Sequence, residues 1–245
     1  MTTEAMFSTI AERYDRCNHL FSLGVDRYWR KHLAQALGPA AGDTALDICC
    51  GTGDMAFALL KHTPVRHVTA LDCSERMIQR ARQKRTRLDR HRWMGGKTLG
   101  LEVQDAAALS LEDARFSAVT CAFGLRNIAD RAAALGQLHR VLKPGGRLGI
   151  LEFSLPAGRI RRGLYSVYLS GLMPLAGRVV LGSAEPLRYL ARSITRWHQS
   201  VCLADELADA GFVEIRSRPL TGGIVTMTVA RRPSRQTPLC NKALS

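Results

Sequence analysis

Nothing constrains the fold of this chain more than Leu46-Asp47-Ile48-Cys49-Cys50-Gly51-Thr52-Gly53-Asp54. There a short apolar run ends in a glycine-flanked turn and opens straight into a helical pattern with Met55, Ala56, Leu59 and Leu60 on one face. A strand joined to a helix by so tight a turn is the start of a βαβ unit, whose next strand runs parallel to the first. The alternation then repeats. Apolar runs at 67–71, 101–104, 118–123 and 147–153 are separated by helical stretches, and runs at 213–216 and 224–230 close the series after a helix at 203–210 that stops at Gly211. Ser74 stands where it can cap the helix after the second strand. The buried stripe Leu135, Leu138 and Val141 ends at Lys143-Pro144-Gly145-Gly146, which stops its helix before the fifth strand. The expected fold is α/β: a seven-stranded, mostly parallel, doubly wound sheet of the Rossmann-like kind.

Two stretches fall outside the alternation. After Phe7 the residues Ile10, Ala11 and Tyr14 follow at i+3, i+4 and i+7, so residues 1–38 are expected to begin as an amphipathic helical arm. Residues 154–200 carry an apolar stretch at 164–181 that is broken by Gly171, Pro174, Gly177 and Arg178 and preceded by Arg159, Arg161 and Arg162. That is too interrupted for a membrane span, and it reads as an inserted cover over a substrate pocket or as an interfacial contact. With 245 residues, 46% of them hydrophobic, the chain supports one large core better than two. Residues 1–232 are expected to be a single domain, followed by a polar, frayed tail at 233–245.

A net charge of +14 predicts attraction to something anionic: nucleic acid, a phospholipid surface or an acidic substrate. The densest patch holds Arg76, Arg80, Arg82, Lys84, Arg85, Arg87, Arg90 and Arg92, answered only by Glu75 and Asp89. It reads equally as a solvated helix face running into a loop. The start, Met1-Thr2-Thr3-Glu4, lacks a basic leader followed by an apolar stretch, which points to the cytoplasm. Seven cysteines without C-x-x-C spacing suggest reduced, mostly buried side chains and no metal site.

The chemistry begins at the glycine turn. Gly51 and Gly53 let a ligand approach the backbone, and free amides at a helix start can bind a polar group. Asp72 closes the next strand, where a carboxylate can take a ribose diol, so the two features together indicate an adenosine-type ligand. Asp47 and Asp54 around the turn would repel a pyrophosphate but suit the ammonium of a methionine moiety. Asp105, after the third strand, is placed to meet the exocyclic amine of an adenine, or it simply caps the strand end.

Asp47 through Asp54, with Asp72, Asp105 and Leu142-Lys143-Pro144-Gly145-Gly146-Arg147, resembles the class I S-adenosylmethionine-dependent methyltransferases. More narrowly, Phe7-Ser8-Thr9-Ile10-Ala11-Glu12-Arg13-Tyr14-Asp15, Asn18, Ser22, Gly24 and Trp29-Arg30 are similar to the N-terminal arm of the ubiquinone/menaquinone biosynthesis C-methyltransferases. Phe123-Gly124-Leu125-Arg126-Asn127, Leu151-Glu152-Phe153-Ser154 and Arg188-Tyr189-Leu190-Ala191-Arg192-Ser193-Ile194 resemble the same family. Ser117, Leu187 and Trp197-His198 depart from its usual residues, the last two beside the expected cover. The resemblance implies S-adenosyl-L-methionine held by Asp47, Gly51, Thr52, Gly53, Asp72, Asp105, Ala106 and Ala122, with Tyr14 and Asn18 as a lid over an acceptor ring. Tyr14 reads equally as plain core.

Methyl transfer to a ring carbon is an in-line displacement that needs near-attack positioning, exclusion of water and stabilisation of a developing phenolate. Arg126, directly or through a water, is expected to stabilise that phenolate while Asn127 orients the hydroxyl; the bland alternative makes Arg126 a surface ion-pair partner. The expected partners are a polyprenylated quinol and an anionic membrane surface, with the protein cytoplasmic or peripheral at the inner face of the plasma membrane. A naphthoquinol or a benzoquinol acceptor and the oligomeric state, a homodimer included, stay open. Two rivals stand beside this reading: methylation of another small aromatic acceptor, and RNA binding or modification. Against the second, Trp93 is the lone aromatic within the basic run.

Overall fold

The computed structural model describes Ser22 and residues 24–90, 95–181 and 184–234. Seven strands form one sheet: β1 (Thr44–Ile48), β2 (His67–Asp72), β3 (Thr98–Val103), β4 (Phe116–Ala122), β5 (Leu142–Phe153), β6 (Val213–Leu220) and β7 (Val225–Arg231). Their order is β3-β2-β1-β4-β5-β7-β6, with β1 to β5 parallel and β7 antiparallel to both β5 and β6. The mostly parallel, doubly wound sheet expected from the sequence is present.

Burial of both sheet faces explains why the strands read as continuous apolar runs. Ala45, Ala118 and Leu151 point to one face, where helices α1 (Asp26–Leu37), α2 (Asp54–His62) and α3 (Glu75–Arg90) supply Trp29, Leu33, Leu37, Met55, Leu59 and Ile78. Leu46, Ile48, Val119, Cys121, Leu148 and Ile150 point to the other, against Leu135 and Leu138 of α4 (Arg131–Val141) and Leu207 of α8 (Leu203–Asp209). Gly149 lets α1 lie close on the sheet: a Cβ there would stand 2.7 Å from a Leu33 methyl. Helix α1 is the part of the expected N-terminal arm that is described; the amphipathic run at 7–15 lies outside the described residues.

Three boundaries differ from expectation for physical reasons. Strand β5 begins at Leu142, five residues before Arg147, because Leu142 pairs with Phe116 and the ladder resumes at Ala118 and Arg147 after an irregularity. The Lys143-Pro144-Gly145-Gly146 segment is therefore a bulge in the strand rather than a loop before it. Strand β3 starts at Thr98, earlier than the apolar signal at 101. Strand β6 runs on to Leu220 as a sheet edge, the position at which Pro219 is tolerated.

As far as Arg90 the basic run is a helix, α3, and much of its charge serves the fold. Arg85 and Arg82 donate to the carbonyls of Leu99 and Leu101, which face away from β2 on the edge strand β3. Lys84 pairs with Asp54, and Lys97 donates to the carbonyls of Leu60 and Thr63.

Between β5 and α8 lies the expected insertion: α5 (Arg159–Val167), a one-turn π-helical stretch (Tyr168–Leu172), α6 (Met173–Leu181) and α7 (Glu185–Ser200). Tyr165, Leu169, Met173, Leu187 and Ile194 form its own small core and pack on Phe153 at the end of β5. Among the described residues no helix is long and apolar enough to cross a membrane.

Candidate active site at the carboxyl edge of the sheet

Strands β1 and β4 are neighbours from which the connections depart in opposite directions across the sheet, and ligands of such folds bind in the crevice at that point. The turn after β1 is strained into shape, with Cys49 at φ 50°, Gly51 at 55° and Gly53 at 89°. Asp72 pins it: one carboxylate oxygen accepts from Gly51 N–H at 2.8 Å and the other from Ser74 N–H at 2.9 Å. Ser74 caps α3 through Met77 N–H, as its position suggested. On the far wall Gly124 presses on Cys49, whose Cβ would lie 2.3 Å from a Cβ added there, so the turns after β1 and β4 interlock only with glycine at 124.

Two adjoining cavities follow. The larger, about 450 Å³, is lined by Asp72, Ser74, Met77, Asp105, Ala106, Ala122, Phe123, Asn127 and Ile128. The smaller, about 20 Å³, is lined by Arg30, Asp47, Thr52, Asp54 and Met55, and Cys49, Gly51 and Ala122 border both. Seven of the eight residues implied to hold a cofactor thus line one or both cavities, and Gly53 shapes the turn between them. Asp105 lines the larger cavity and at the same time accepts from Ala107 N–H at 2.9 Å.

The smaller cavity is electrostatically split. Asp47 is fully buried; Oδ1 accepts from Thr120 Oγ1 at 2.7 Å, and Oδ2 has no hydrogen-bond partner among the described residues. Burial pushes its carboxyl up to about 7, against the lowering pull of the Thr120 hydroxyl and the Arg30 guanidinium. Arg30 is itself buried over the Phe123 ring, 3.7 Å from Asp26, and its Nε makes no hydrogen bond among the described residues. An unsatisfied carboxylate oxygen beside an unsatisfied guanidinium N–H suits a zwitterion, with ammonium toward Asp47 and carboxylate toward Arg30. Asp54, expected to share the ammonium, is instead neutralised by Lys84.

No role was read for Arg30 in the sequence, although a signal existed. It sits on the buried face of an amphipathic helix beside Trp29, Leu33 and Leu37, a place an arginine does not occupy without a partner.

Arg126 lies in a single 3₁₀ turn (Leu125–Asn127) after β4. It is neither a surface residue nor an open cation. Its side chain is 5% exposed and pairs at 2.9 Å with Glu152, itself 3% exposed, while Arg126 N–H donates to the other Glu152 oxygen at 3.2 Å. Nε donates to Ser193 Oγ at 3.3 Å, and the guanidinium lies over Phe153. Asn127 reaches the larger cavity and accepts a hydrogen bond from the Tyr189 hydroxyl at 3.0 Å. Glu152, Tyr189 and Ser193 were visible only as resembling segments; Glu152 reaches this turn from the neighbouring strand β5, while Tyr189 and Ser193 grip it only when the cover folds back from more than 60 residues away along the chain. Tyr14 and Asn18 lie outside the described residues.

Other titratable groups offer less. His139 stacks edge-on against Phe212 and His198 meets Arg162, away from both cavities. Cys49 contacts Cys121, and that contact together with burial raises its thiol well above the usual range, so it is no nucleophile. Contrary to the expectation of mostly buried cysteines, Cys73 and Cys202 are exposed. No cluster of three or more histidines, cysteines or carboxylates suited to a metal exists among the described residues.

Comparison with known proteins gives a consistent picture. The model of the ubiE/COQ5 methyltransferase family matches residues 2–232. A demethylmenaquinone methyltransferase of Mycolicibacterium paratuberculosis is 39% identical over 231 residues, 94% of each chain. One from Staphylococcus aureus is 35% identical over 223 residues, 91% of this chain and 89% of its own. Among solved structures, the complex of the Haloferax volcanii Trm112 methyltransferase activator with a methyltransferase matches with a TM-score of 0.64 at 21% identity, covering 93% of this chain and 97% of that one. Phosphoethanolamine N-methyltransferase 2 of Haemonchus contortus, solved with S-adenosyl-L-methionine, matches with a TM-score of 0.61 at 16% identity, covering 84% and 53%. The two solved structures share the fold.

Proposed function

Since the chain belongs to the ubiE/COQ5 methyltransferase family, we propose that it methylates a ring carbon of a polyprenylated quinol, converting demethylmenaquinol to menaquinol, with S-adenosyl-L-methionine as methyl donor. The observation that carries this reading is the charge-split small cavity that continues, past Gly51 and Ala122, into a larger one ending at Asn127. Bound S-adenosylmethionine supplies an electrophilic methyl on a sulfonium. Asp47 would hold its ammonium and Arg30 its carboxylate, Asp72 the ribose diol, and Asp105 with Ala106 the adenine edge, while Thr52 and the glycines let the backbone come close.

On the acceptor side, Arg126 and Asn127 act on the ring hydroxyl. Ionisation of that hydroxyl puts charge on the ring carbon that attacks, and donors fixed in place before the acceptor arrives would favour it without reorganisation. Glu152 supplies the aim: paired with it, Arg126 is a fixed donor rather than a wandering cation. Arginine is not itself the base, because a guanidinium keeps its proton throughout the physiological range. Tyr189 fixes Asn127 from the cover, which also keeps water off the ring. The isoprenoid tail of such an acceptor resides in a bilayer, so the working site is an anionic membrane surface at which the protein is peripheral.

The test is methyl transfer from labelled donor to demethylmenaquinol beside a demethoxy benzoquinol analogue, with RNA as a third acceptor. Label on the naphthoquinol is expected, and the benzoquinol arm decides whether a ubiquinone precursor serves as well. Label on RNA and on neither quinol would overturn the reading. Arg126→Ala is expected to lower turnover by about a hundredfold or more with cofactor affinity intact; near-normal turnover removes Arg126 from the mechanism.

A further inference from the structure

The cover carries an apolar stripe turned to solvent. On α5, Ile160 is 81% exposed, Leu164 69% and Val167 64%, while Leu175 on α6 is 61% exposed. Positions i, i+4 and i+7 share one side of a helix, and at about 100° per residue Arg159 and Arg161 fall on its two flanks. Tyr165, on the inner side of the same helix, packs in the small core that rests on Phe153, under the Arg126 guanidinium. One short helix thus has the reaction centre behind it and bare aliphatic side chains in front.

The charge on α5 opposes its own helix, although Arg162 also meets His198 of α7. Arg159, Arg161 and Arg162 crowd its first turn, the positive end of the helix dipole, with no acidic residue there. No Asp or Glu occurs from 153 to 184. By contrast Arg82, Lys84 and Arg85 of α3, and Lys97 beyond it, are tied to backbone carbonyls or to Asp54 and Glu75.

We propose that α5 is the membrane-docking element, laid flat with Ile160, Leu164 and Val167 among the acyl chains and Arg159 and Arg161 on anionic headgroups. The proposal deepens the quinol reading above and rests on it for the reason a bilayer is needed. Lipid fits this stripe where other occupants do not. Nucleic acid offers no match for exposed isoleucine, leucine and valine, and a second copy packed α5 to α5 would bring two sets of arginines together without a carboxylate between them. An interfacial helix of this kind joins buried apolar area to electrostatic attraction. Docked this way, the protein would hold its Arg126 turn one helix away from the bilayer in which a quinol tail resides.

Flotation of the full chain with vesicles of phosphatidylglycerol and phosphatidylcholine, against phosphatidylcholine alone, tests it. Binding to the anionic vesicles is expected, with roughly tenfold or greater loss in Ile160→Ser/Leu164→Ser and in Arg159→Gln/Arg161→Gln. Arg76→Gln/Arg80→Gln/Arg87→Gln on α3 is expected to stay within about twofold, since those side chains project from a different helix. Apart from Arg80, which is part-buried, the variants alter exposed side chains, and an unchanged melting temperature confirms the fold. Turnover of a short-tailed, water-soluble quinol should be unchanged in the α5 variants, while turnover of a long-tailed quinol in vesicles falls with binding. Loss of binding confined to the α3 variant would overturn the proposal. So would a wild-type dimer in solution that Leu164→Ser splits, which would assign the stripe to a second copy. If wild type binds vesicles through α5 yet methylates neither quinol, the functional reading fails and the docking element stands.

Discussion

The two ends of the crevice are built in opposite ways. At the cofactor end, contacts run between backbone and short side chains close to strand ends: Asp72 bonds the amides of Gly51 and Ser74, Ser74 caps its own helix, and Asp105 bonds an amide two residues on. At the acceptor end, long side chains reach across large sequence separations. Arg126 meets Glu152 and Ser193, Asn127 meets Tyr189, and Arg131 lies over Trp197 on α7. The first is a cradle built on the sheet and the helices packed on it, and none of the residues lining its two cavities belongs to the cover. The second is assembled only when the cover is docked, so acceptor chemistry is conditional on the cover and cofactor binding is not.

The largest test of that contrast is the Arg126–Glu152 pair. Glu152→Ala leaves a guanidinium buried without its carboxylate, which typically costs about 3–5 kcal/mol of stability. Turnover should fall by at least about a hundredfold as the donor loses its aim, whereas affinity for S-adenosylmethionine in whatever protein remains folded should change by less than about threefold. Glu152→Gln, which keeps an acceptor for the Arg126 amide, should restore much of the stability and little of the activity. The double variant Arg126→Met/Glu152→Leu goes further: replacing both charges by apolar groups should recover the melting temperature in a thermal scan while turnover stays lost. A matching loss of cofactor affinity in all three would erase the distinction between the two ends.

The same contrast explains what could be read from the chain alone. The sheet, its switch point and Asp47, Asp72 and Asp105 follow from local pattern, because strand period, glycine turn and strand-end carboxylate all lie within a few residues of one another. Where local signal was misread, longer-range pairing decided: Pro144 and Gly145 look like a stop, yet Leu142 already pairs with Phe116. Arg126 read as a phenolate stabiliser or a surface ion-pair partner, and its buried pairing was not legible because Glu152 comes from the next strand and Ser193 from the cover. Arg30 passed unassigned because its meaning is the orphaned Asp47 oxygen across the turn, and a sequence does not display an unsatisfied atom.

Asp47→Asn should sharpen the cofactor side of the comparison. Losing the charge opposite an ammonium should weaken S-adenosylmethionine by about 10- to 100-fold with little effect on the fold, since asparagine keeps an acceptor for Thr120. The wild type carries a pH signature. Burial pushes its carboxyl up to about 7 in the folded chain from 3.8 for a free aspartate, so the folded chain holds the proton more tightly. Stability of the cofactor-free protein should therefore fall as pH rises between those values and level off above, by linkage. Cofactor binding has the opposite sign, because the ammonium needs the ionised form: calorimetric affinity should climb through the same window and flatten above about 7. Melting temperatures and titrations at two pH values check both slopes, and the asparagine variant should lose both.

Tyr189→Phe is the gentlest probe and the most discriminating. It removes one hydroxyl from α7 and frees the Asn127 carboxamide, a change worth about 1 kcal/mol where a single neutral hydrogen bond is lost, or roughly fivefold in rate. If the cover positions the acceptor, the loss appears in turnover with the quinol, and calorimetry with S-adenosylmethionine is unmoved. A purely structural hydroxyl would lower the melting temperature and leave kcat at the wild-type value. The outcome that breaks the comparison is a weaker cofactor with normal kcat, because it would place Tyr189, and the cover with it, in the service of the cradle.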